Sequence, residues 1–433
     1  MAGHGAADAN CIHNLPRGPI SAALSRHLPF LLSAWRDTFG SAGGTAGTAD
    51  RLRPPEIDSA GRALLRLQRG LTGERELAGA GYMGSPDLLG AYLLYYWPVS
   101  YLQVSLALAA LGERGDVRGA RHGVPRRILD LGSGPGPSAA AFLDAGWTDL
   151  VLADTSERAL GLARRVLGAT HPKANVTTAA LDLERIVDEA GHGIEAAKGP
   201  FDAVVACHSL NELWKGRPAA VGRRLELVKK CAGLLAPGGF VLLVEPSLLA
   251  TSRELLALRD ALAADGFAIL GPCLGQGPCP ALAAGPGHTC HTEASWRVPE
   301  PVASLAAQAG LDRASVKMTW FAAGRPEDGR GGPVRTAAFA GSTGPGRSAM
   351  VVSEPMLNKA GRVRYLLCGE EGRYAFSARK DDPAARAQGF FDLKRGDEVR
   401  IVGAERRGSP GEAESLGFAA GTELRVVRPA PRI

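Results

Sequence analysis

From residue 127 to residue 245 the chain alternates short unbroken apolar runs with stretches in which apolar residues return at helical spacing. The runs at 128–131, 149–153 and 201–207 are bounded by glycine or aspartate, and a further run follows Pro237-Gly-Gly. Uninterrupted runs of this length read as strands buried on both faces, which is the mark of a parallel sheet covered by helices. The region 122–270 is therefore predicted to wind into a mostly parallel α/β sheet. Upstream, Pro19–Phe39 and 55–70 show helical periodicity on either side of a Gly/Thr/Ala-rich loop at 40–50. The stretch 88–111 holds four tyrosines and a tryptophan but is broken by Pro98, Ser100, Gln103 and Ser105, so it predicts packed helices rather than a membrane span. Its aromatic rings suit the core of a helical cap, with lining of a ligand mouth or stacking on RNA bases as the sharper reading.

Downstream, 298–311 reads as a helix and 315–323 as a strand, and Gly/Pro-rich segments follow at 324–334 and 341–348. From Met350 onward the pattern changes to short alternating strands, predicting a small β-barrel similar to an oligonucleotide-binding fold. The expected organisation is a disordered 1–17, a helical cap at 18–121, a ligand-binding α/β domain at 122–325 and a basic barrel at 349–433.

Composition changes this picture in two places. Lys and Arg outnumber Asp and Glu by 21 to 14 over residues 313–433, so that this third carries +7 of the net +6 and the remainder −1. A basic final third suits a polyanionic partner. No secretory or transit pattern opens the chain, and seven cysteines, an odd number, do not form a disulfide framework. A cytoplasmic monomer away from membranes is expected.

The candidate chemistry begins at Asp130-Leu-Gly-Ser-Gly-Pro-Gly, where Gly132, Gly134 and Gly136 follow a strand and precede a helix. Missing side chains let a ligand approach backbone N–H groups at a helix N-terminus. No Gly-Lys-Ser/Thr follows, and Asp130 stands just before the first glycine, which sets this apart from a phosphate loop. Asp154 ends the second strand, where an acid can accept both hydroxyls of a ribose. Asp-x-Gly-x-Gly-x-Gly resembles motif I of the class I S-adenosylmethionine methyltransferases. That resemblance implies a Rossmann-like sheet, Asp182 near the adenine amine, and the segment from Cys207 to Glu212, with His208, on the cofactor rim. Amino methylation of bases commonly uses an Asn/Asp-Pro-Pro-aromatic loop there, and this chain has Cys207-His-Ser-Leu-Asn-Glu-Leu. The catalytic residues stay unassigned, with His208 or Glu212 as possible bases.

A second centre lies in the turn-rich loop 271–291, which carries Cys273, Cys279 and Cys290 with His288 and His291. Structural cysteines usually sit singly in strands or helices, as Cys207 and Cys231 do; three in one Gly/Pro loop suggest thiolate ligands to zinc or an iron-sulfur cluster. Cys368, in a barrel strand, is the natural fourth ligand. Three cysteines with one of the histidines would make the zinc alternative.

Taken together, Tyr92-Leu-Leu-Tyr-Tyr-Trp-Pro-Val-Ser-Tyr, the glycine motif, Pro272-Cys, Pro278-Cys-Pro, Cys290-His, Ser353-Glu-Pro and Leu367-Cys-Gly resemble the methyltransferase-like assembly factors of the mitochondrial small ribosomal subunit and their bacterial relatives. The resemblance covers roughly 80–400. It implies a 4Fe-4S cluster on Cys273, Cys279, Cys290 and Cys368, and action on small-subunit rRNA within an assembly intermediate. An active rRNA methyltransferase is the alternative.

Overall fold

The structure is a computed structural model that describes residues 18–40, 51–73, 75–79, 81–114, 126–189, 198–326, 346–407 and 415–433. The disorder expected for 1–17 falls outside these residues.

Four helices open the chain: α1 (Pro19–Phe39), α2 (Pro54–Thr72), α3 (Pro86–Ala91) and α4 (Trp97–Arg114), the last two joined by a π-helical turn at Tyr92–Tyr96. Proline stands in the first turn of α1, α2 and α3, where its missing N–H costs no hydrogen bond. Most of the aromatic stretch is core, while Tyr92 and Tyr96 also line cavities described below. Tyr95, Trp97 and Tyr101 are buried and share one apolar cluster with Phe142 and Leu150 of the following domain. The cap therefore has no separate core and packs directly on one face of the sheet.

The α/β domain runs β1 (Arg127–Leu131), α5 (Pro137–Asp144), β2 (Asp149–Asp154), α6 (Glu157–Thr170), β3 (Asn175–Ala180), α7 (Leu183–Asp188), β4 (Phe201–Cys207), α8 (Ala220–Ala232), β5 (Leu235–Glu245), α9 (Leu249–Ala264), β6 (Ala268–Gly271), α10 (Pro280–Ala283), β7 (Thr292–Ser295), α11 (Val302–Ala309) and β8 (Ser315–Gly324). Strand order is β3-β2-β1-β4-β5-β8-β6, with β7 on β8. The first five strands are parallel and β8 runs antiparallel between β5 and β6. The apolar runs predicted the mostly parallel sheet, and its Rossmann-like class I methyltransferase architecture is the one that the resemblance of the glycine motif implied. The order reverses between β1 and β4, and ligands of such sheets bind outside the carboxyl ends of the strands at that point. One expected element is shorter than predicted: the helix of 298–311 is confined to Val302–Ala309, because Pro299 and Pro301 disfavour the helical conformation at the residues before them, Val298 and Glu300.

The last domain comprises β9 (Arg347–Val351), β10 (Met356–Leu357), β11 (Arg362–Gly369), β12 (Gly372–Arg379), α12 (Pro383–Ala387), β13 (Glu398–Val402), β14 (Glu405–Arg407), β15 (Ser415–Gly417) and β16 (Glu423–Arg428). These strands form a curled eight-stranded sheet in the order β14-β15-β12-β11-β9-β13-β16, with β10 on β11. Its concave face encloses Tyr365, Leu367, Phe376, Phe390 and Ile401. Ile433 returns to pack against the cap cluster.

Candidate functional site: a nucleotide-type cleft and a four-cysteine pocket

The three glycines after β1 do different work. Gly132 has φ +66, and a Cβ there would stand 2.4 Å from the Ser209 Cβ, so the turn needs glycine to pass the β4 loop. Gly136 has φ +79 and packs on Ala163 and Leu167 of α6. Gly134, φ +51, has only the Met83 Cε at 3.5 Å from a would-be Cβ, so it leaves an open cradle on the ligand side. The loop is tied across the end of β2 by N–H groups of Gly132 and Ser133 donating to the Ala153 carbonyl, at 2.8 and 3.1 Å. Trp97 of α4 steadies it from behind, its Nε1–H donating to the Pro135 carbonyl at 3.0 Å.

A cavity of about 750 Å³ opens over this loop, walled by Gly132, Gly134, Asp154, Asp182, His208 and Glu212 among others. Asp154 accepts the Gly134 N–H on Oδ2 and the Ser156 N–H on Oδ1, both at 2.8 Å, and lines the cavity. Asp182 caps α7, accepting from the Glu184 N–H at 3.0 Å. Asp130 and Gly136, predicted to bind the same ligand, are not on the wall. Asp130 lies one layer beneath the glycines, fully buried, and neither carboxylate oxygen has a hydrogen-bond partner of normal geometry. Burial and the neighbouring Asp154 push its pKa up to about 8, against the pull of the Ala139 N–H. The glycine cradle at Gly134 and the acceptor Asp154 at the β2 end fit the amino-acid and ribose parts of S-adenosylmethionine.

Several wall residues had no sequence signal. Tyr82 and Met83 come from the segment before α3 and close the cleft from the cap side. Glu212 holds that segment, accepting the Tyr82 O–H at 3.3 Å and the Gly79 N–H at 3.5 Å. Its burial lifts its pKa to about 7. Glu245 at the end of β5 fixes the 208–212 turn through Asn211, which donates its N–H at 3.0 Å and its side-chain amide at 2.6 Å. A second cavity of about 280 Å³ shares Ala78, Tyr82, Tyr92, His208 and Glu212 with the first, and Tyr96, Gln103, Asp312, Arg313 and Lys317 are among its other lining residues.

The four candidate ligands converge elsewhere. Cys273, Cys279 and Cys290 from the loop between β6 and β7, and Cys368 from β11, all line one cavity of about 90 Å³ between the α/β domain and the curled sheet. None of them is in a disulfide. Arg259, 2% exposed on α9, donates to the carbonyls of Gly275 and Gly277 and pairs with Asp260 at 2.7 Å. Asp260 in turn accepts the Cys279 N–H at 2.9 Å. Thr319 holds the Cys290 carbonyl at 2.8 Å and Arg373 of β12 the Thr289 carbonyl at 3.3 Å. Burial, with the neighbouring Cys273 next, pushes the thiols of Cys290 and Cys368 up to about 11 and about 12. A tetrahedral zinc with bonds near 2.3 Å would draw its sulfurs to about 3.8 Å of one another. Among the described residues the group of three His, Cys, Asp or Glu ligand atoms within 4.8 Å is His27, Asp144 and His171. Cys207 and Cys231, read as structural, are buried singly.

Compared with known proteins, the chain is 27% identical over 143 residues, 33% of its length, to polyamine aminopropyltransferase 2 of Hyperthermus butylicus, and it spans 45% of that relative. Among solved structures it is similar to magnesium protoporphyrin IX methyltransferase of Synechocystis PCC 6803, solved with bound S-adenosylmethionine, at 13% identity, TM-score 0.32, 72% of this chain and 99% of that one. The ribosomal protein L11 methylase of Lactobacillus delbrueckii subsp. bulgaricus gives 19% identity, TM-score 0.27, 39% of this chain and 70% of that one. The fold itself rests on the strand order given above. The family described as mitochondrial small ribosomal subunit Rsm22 matches residues 88–377, a span that holds the glycine loop, the cleft rim and all four converging cysteines. With that match the chain belongs to the methyltransferase-like Rsm22 family of the small ribosomal subunit.

Proposed function

We propose that this chain is a cytoplasmic, monomeric factor that binds S-adenosylmethionine, carries a 4Fe-4S cluster, and binds small-subunit rRNA while the small ribosomal subunit assembles. The observation that carries the reading is the convergence of Cys273, Cys279, Cys290 and Cys368, from two domains, on one cavity. Four thiolates with no carboxylate among them suit a polynuclear cluster, and the cluster would supply a cross-link between the α/β domain and the curled sheet. Gly134, Asp154 and Asp182 would hold the sulfonium cofactor, which supplies an electrophilic methyl group. Exposed Arg364, Arg379 and Lys380 on the curled sheet support contact with a polyanion. Anaerobic purification tests the reading. Brown protein with about four irons per chain is expected for a four-thiolate cluster, and one zinc without iron would remove the cluster.

A second reading, an active rRNA methyltransferase, is favoured by the second cavity, which meets the first at His208 and has room beside the cofactor cleft. Mapping rRNA methylation in a strain lacking the chain separates the two. A missing mark restored by wild type but not by Asp154→Ala supports catalysis.

A further inference from the structure

Arg373 stands directly opposite Cys368 across the antiparallel pair of β11 and β12. Residues opposed in this way put their Cβ atoms about 4.5–5.5 Å apart on one face of a sheet, so the guanidinium and the thiol belong to one neighbourhood. The hairpin is tight, with Gly369 facing Gly372 across Glu370 and Glu371, and the short turn fixes that register. From β12 Arg373 also reaches the other domain, its Nη2–H donating at 3.3 Å to the carbonyl of Thr289, the residue before Cys290. It lines the same cavity as the four cysteines. Two further cations, Arg259 and Arg395, stand on that wall, but each has an acid beside it, Asp260 at 2.7 Å and Glu354 at 3.4 Å. Glu370, an acid of the same wall, is exposed, and solvent screens it. Arg373, half-buried, pairs with no carboxylate among the described residues. A neutral donor would hold the Thr289 carbonyl at less cost in desolvation, so the charge itself calls for an anionic group in the cavity.

We infer that Arg373 poises the four-cysteine centre for one-electron reduction, so that the centre is redox-active as well as a tie between the two domains. This rests on the 4Fe-4S reading of the four cysteines. A 4Fe-4S core held by four thiolates is net negative, and reduction adds one more negative charge. The electron comes from a soluble one-electron donor, which is oxidised by the same one electron, and no bond to a cysteine is made or broken. Arg373 answers the added charge with a cation that stays protonated throughout. Its attraction to the centre is stronger after reduction than before, which favours the reduced form and raises the reduction potential. Within a cavity of about 90 Å³ enclosed by two packed domains, little water screens that attraction.

The test is a potentiometric titration of the full-length, cluster-loaded protein, with dithionite as reductant and viologens as mediators. Electron paramagnetic resonance reads the reduced cluster, normalised to iron content. Wild type should reduce and reoxidise reversibly, and a cluster that dithionite leaves oxidised overturns the proposal. Arg373→Gln removes the charge but keeps an amide donor for the Thr289 carbonyl. At a fixed potential its ratio of reduced to oxidised cluster should fall about tenfold, a downward shift of about 59 mV for a one-electron couple. Arg373→Lys, which keeps a cation, should return the ratio to near the wild-type value. A loaded Arg373→Gln protein that titrates as wild type overturns the proposal, and so does Arg373→Lys shifted as far as Arg373→Gln. If Arg373→Gln takes up no iron, Glu370→Gln decides: removing this exposed acid should raise the ratio roughly twofold, a small effect because solvent screens it, and an unchanged or lower ratio overturns the proposal. Wild type that carries zinc and no iron removes the cluster reading and this proposal with it. Iron-loaded wild type with an unshifted Arg373→Gln removes this proposal alone.

Discussion

His27 of α1 places its Nε2 2.8 Å from Oδ2 of Asp144, the last residue of α5, and thereby ties the first helix of the cap to the helix that begins at the glycine loop. Asp144 also accepts the Tyr101 O–H at 2.5 Å, Arg26 at 3.1 Å and faces His171 Nε2 at 3.2 Å. Burial alone would raise its pKa, but the bonds to His171, His27 and Tyr101 outweigh that and hold it well below the ordinary carboxylate range. A depressed folded-state pKa contributes stability that is complete above the unfolded value, about 3.9, and is lost as pH falls through the folded one. Acid unfolding followed by circular dichroism should therefore show wild type losing stability steeply below about pH 4, and Asp144→Asn losing less over the same interval. At pH 7, Asp144→Ala is expected to cost about 1–3 kcal/mol in denaturant titration, the scale for leaving buried hydrogen-bond donors without their acceptor.

The cleft makes a graded prediction. Gly134→Val fills the open cradle and Asp154→Ala removes the acceptor that Gly134 and Ser156 share, so both should weaken S-adenosylmethionine binding. For Asp154→Ala a loss of about 10–100-fold is expected, the equivalent of a hydrogen bond to a charged group at about 1.5–3 kcal/mol. Gly132→Ala should instead destabilise the fold, because its Cβ would meet Ser209 at 2.4 Å. Calorimetry and thermal unfolding on the same three proteins distinguish the effects; equal affinity in all would place the cofactor elsewhere.

At the cysteine cavity, Cys368→Ser should lower iron content and free the curled sheet from the α/β domain, while Cys231→Ser, on the buried face of α8, should keep its iron. Arg259→Met should lower cluster content with all four cysteines present, since its guanidinium holds the Gly275 and Gly277 carbonyls. Iron and sulfide analysis reads all three. Retained iron in Cys368→Ser would point to His291, which lines the same cavity. Because the Cys290 and Cys368 thiols are pushed to about 11 and about 12, ligand formation must release protons, and reconstitution should be more complete at pH 8.5 than at about pH 6.5.

RNA binding through the curled sheet should weaken with salt. Each phosphate neutralised adds about −0.9 to the slope of log affinity against log salt for duplex and about −0.7 for single strands. Arg364→Glu and Lys380→Glu, on exposed positions, should each flatten that slope by about one such increment in filter binding to small-subunit rRNA fragments. An unchanged slope in the double variant would remove this face from the interface.

Much of the frame was legible before any coordinates. Apolar runs at 128–131, 149–153 and 201–207 became β1, β2 and β4 within a residue, because a strand buried on both faces admits little else. The helix of 298–311 was overestimated because apolar spacing carried more weight than two prolines. The segment around Tyr82 and Met83 had no periodicity and no motif, since its role is a contact with residues more than fifty positions away. Asp130 carried the strongest motif signal yet lies beneath the cleft, because a residue at the end of a buried strand alternates inward.

What the sequence determined by itself was whatever depends on neighbours in the chain: the strand and helix periods, the positive-φ turn that needs glycine, and the unusual gathering of three cysteines in one Gly/Pro loop. Tertiary structure alone decided what depends on distance between remote residues. It brought Cys368 on β11 to the cavity of Cys273, Cys279 and Cys290, and set Gln103 of the cap against His208 at the end of β4. The physical reason is the same in both cases: thiol ligation and hydrogen bonding are settled within about 3 Å, by geometry that local preference leaves open until the two domains and the cap have packed.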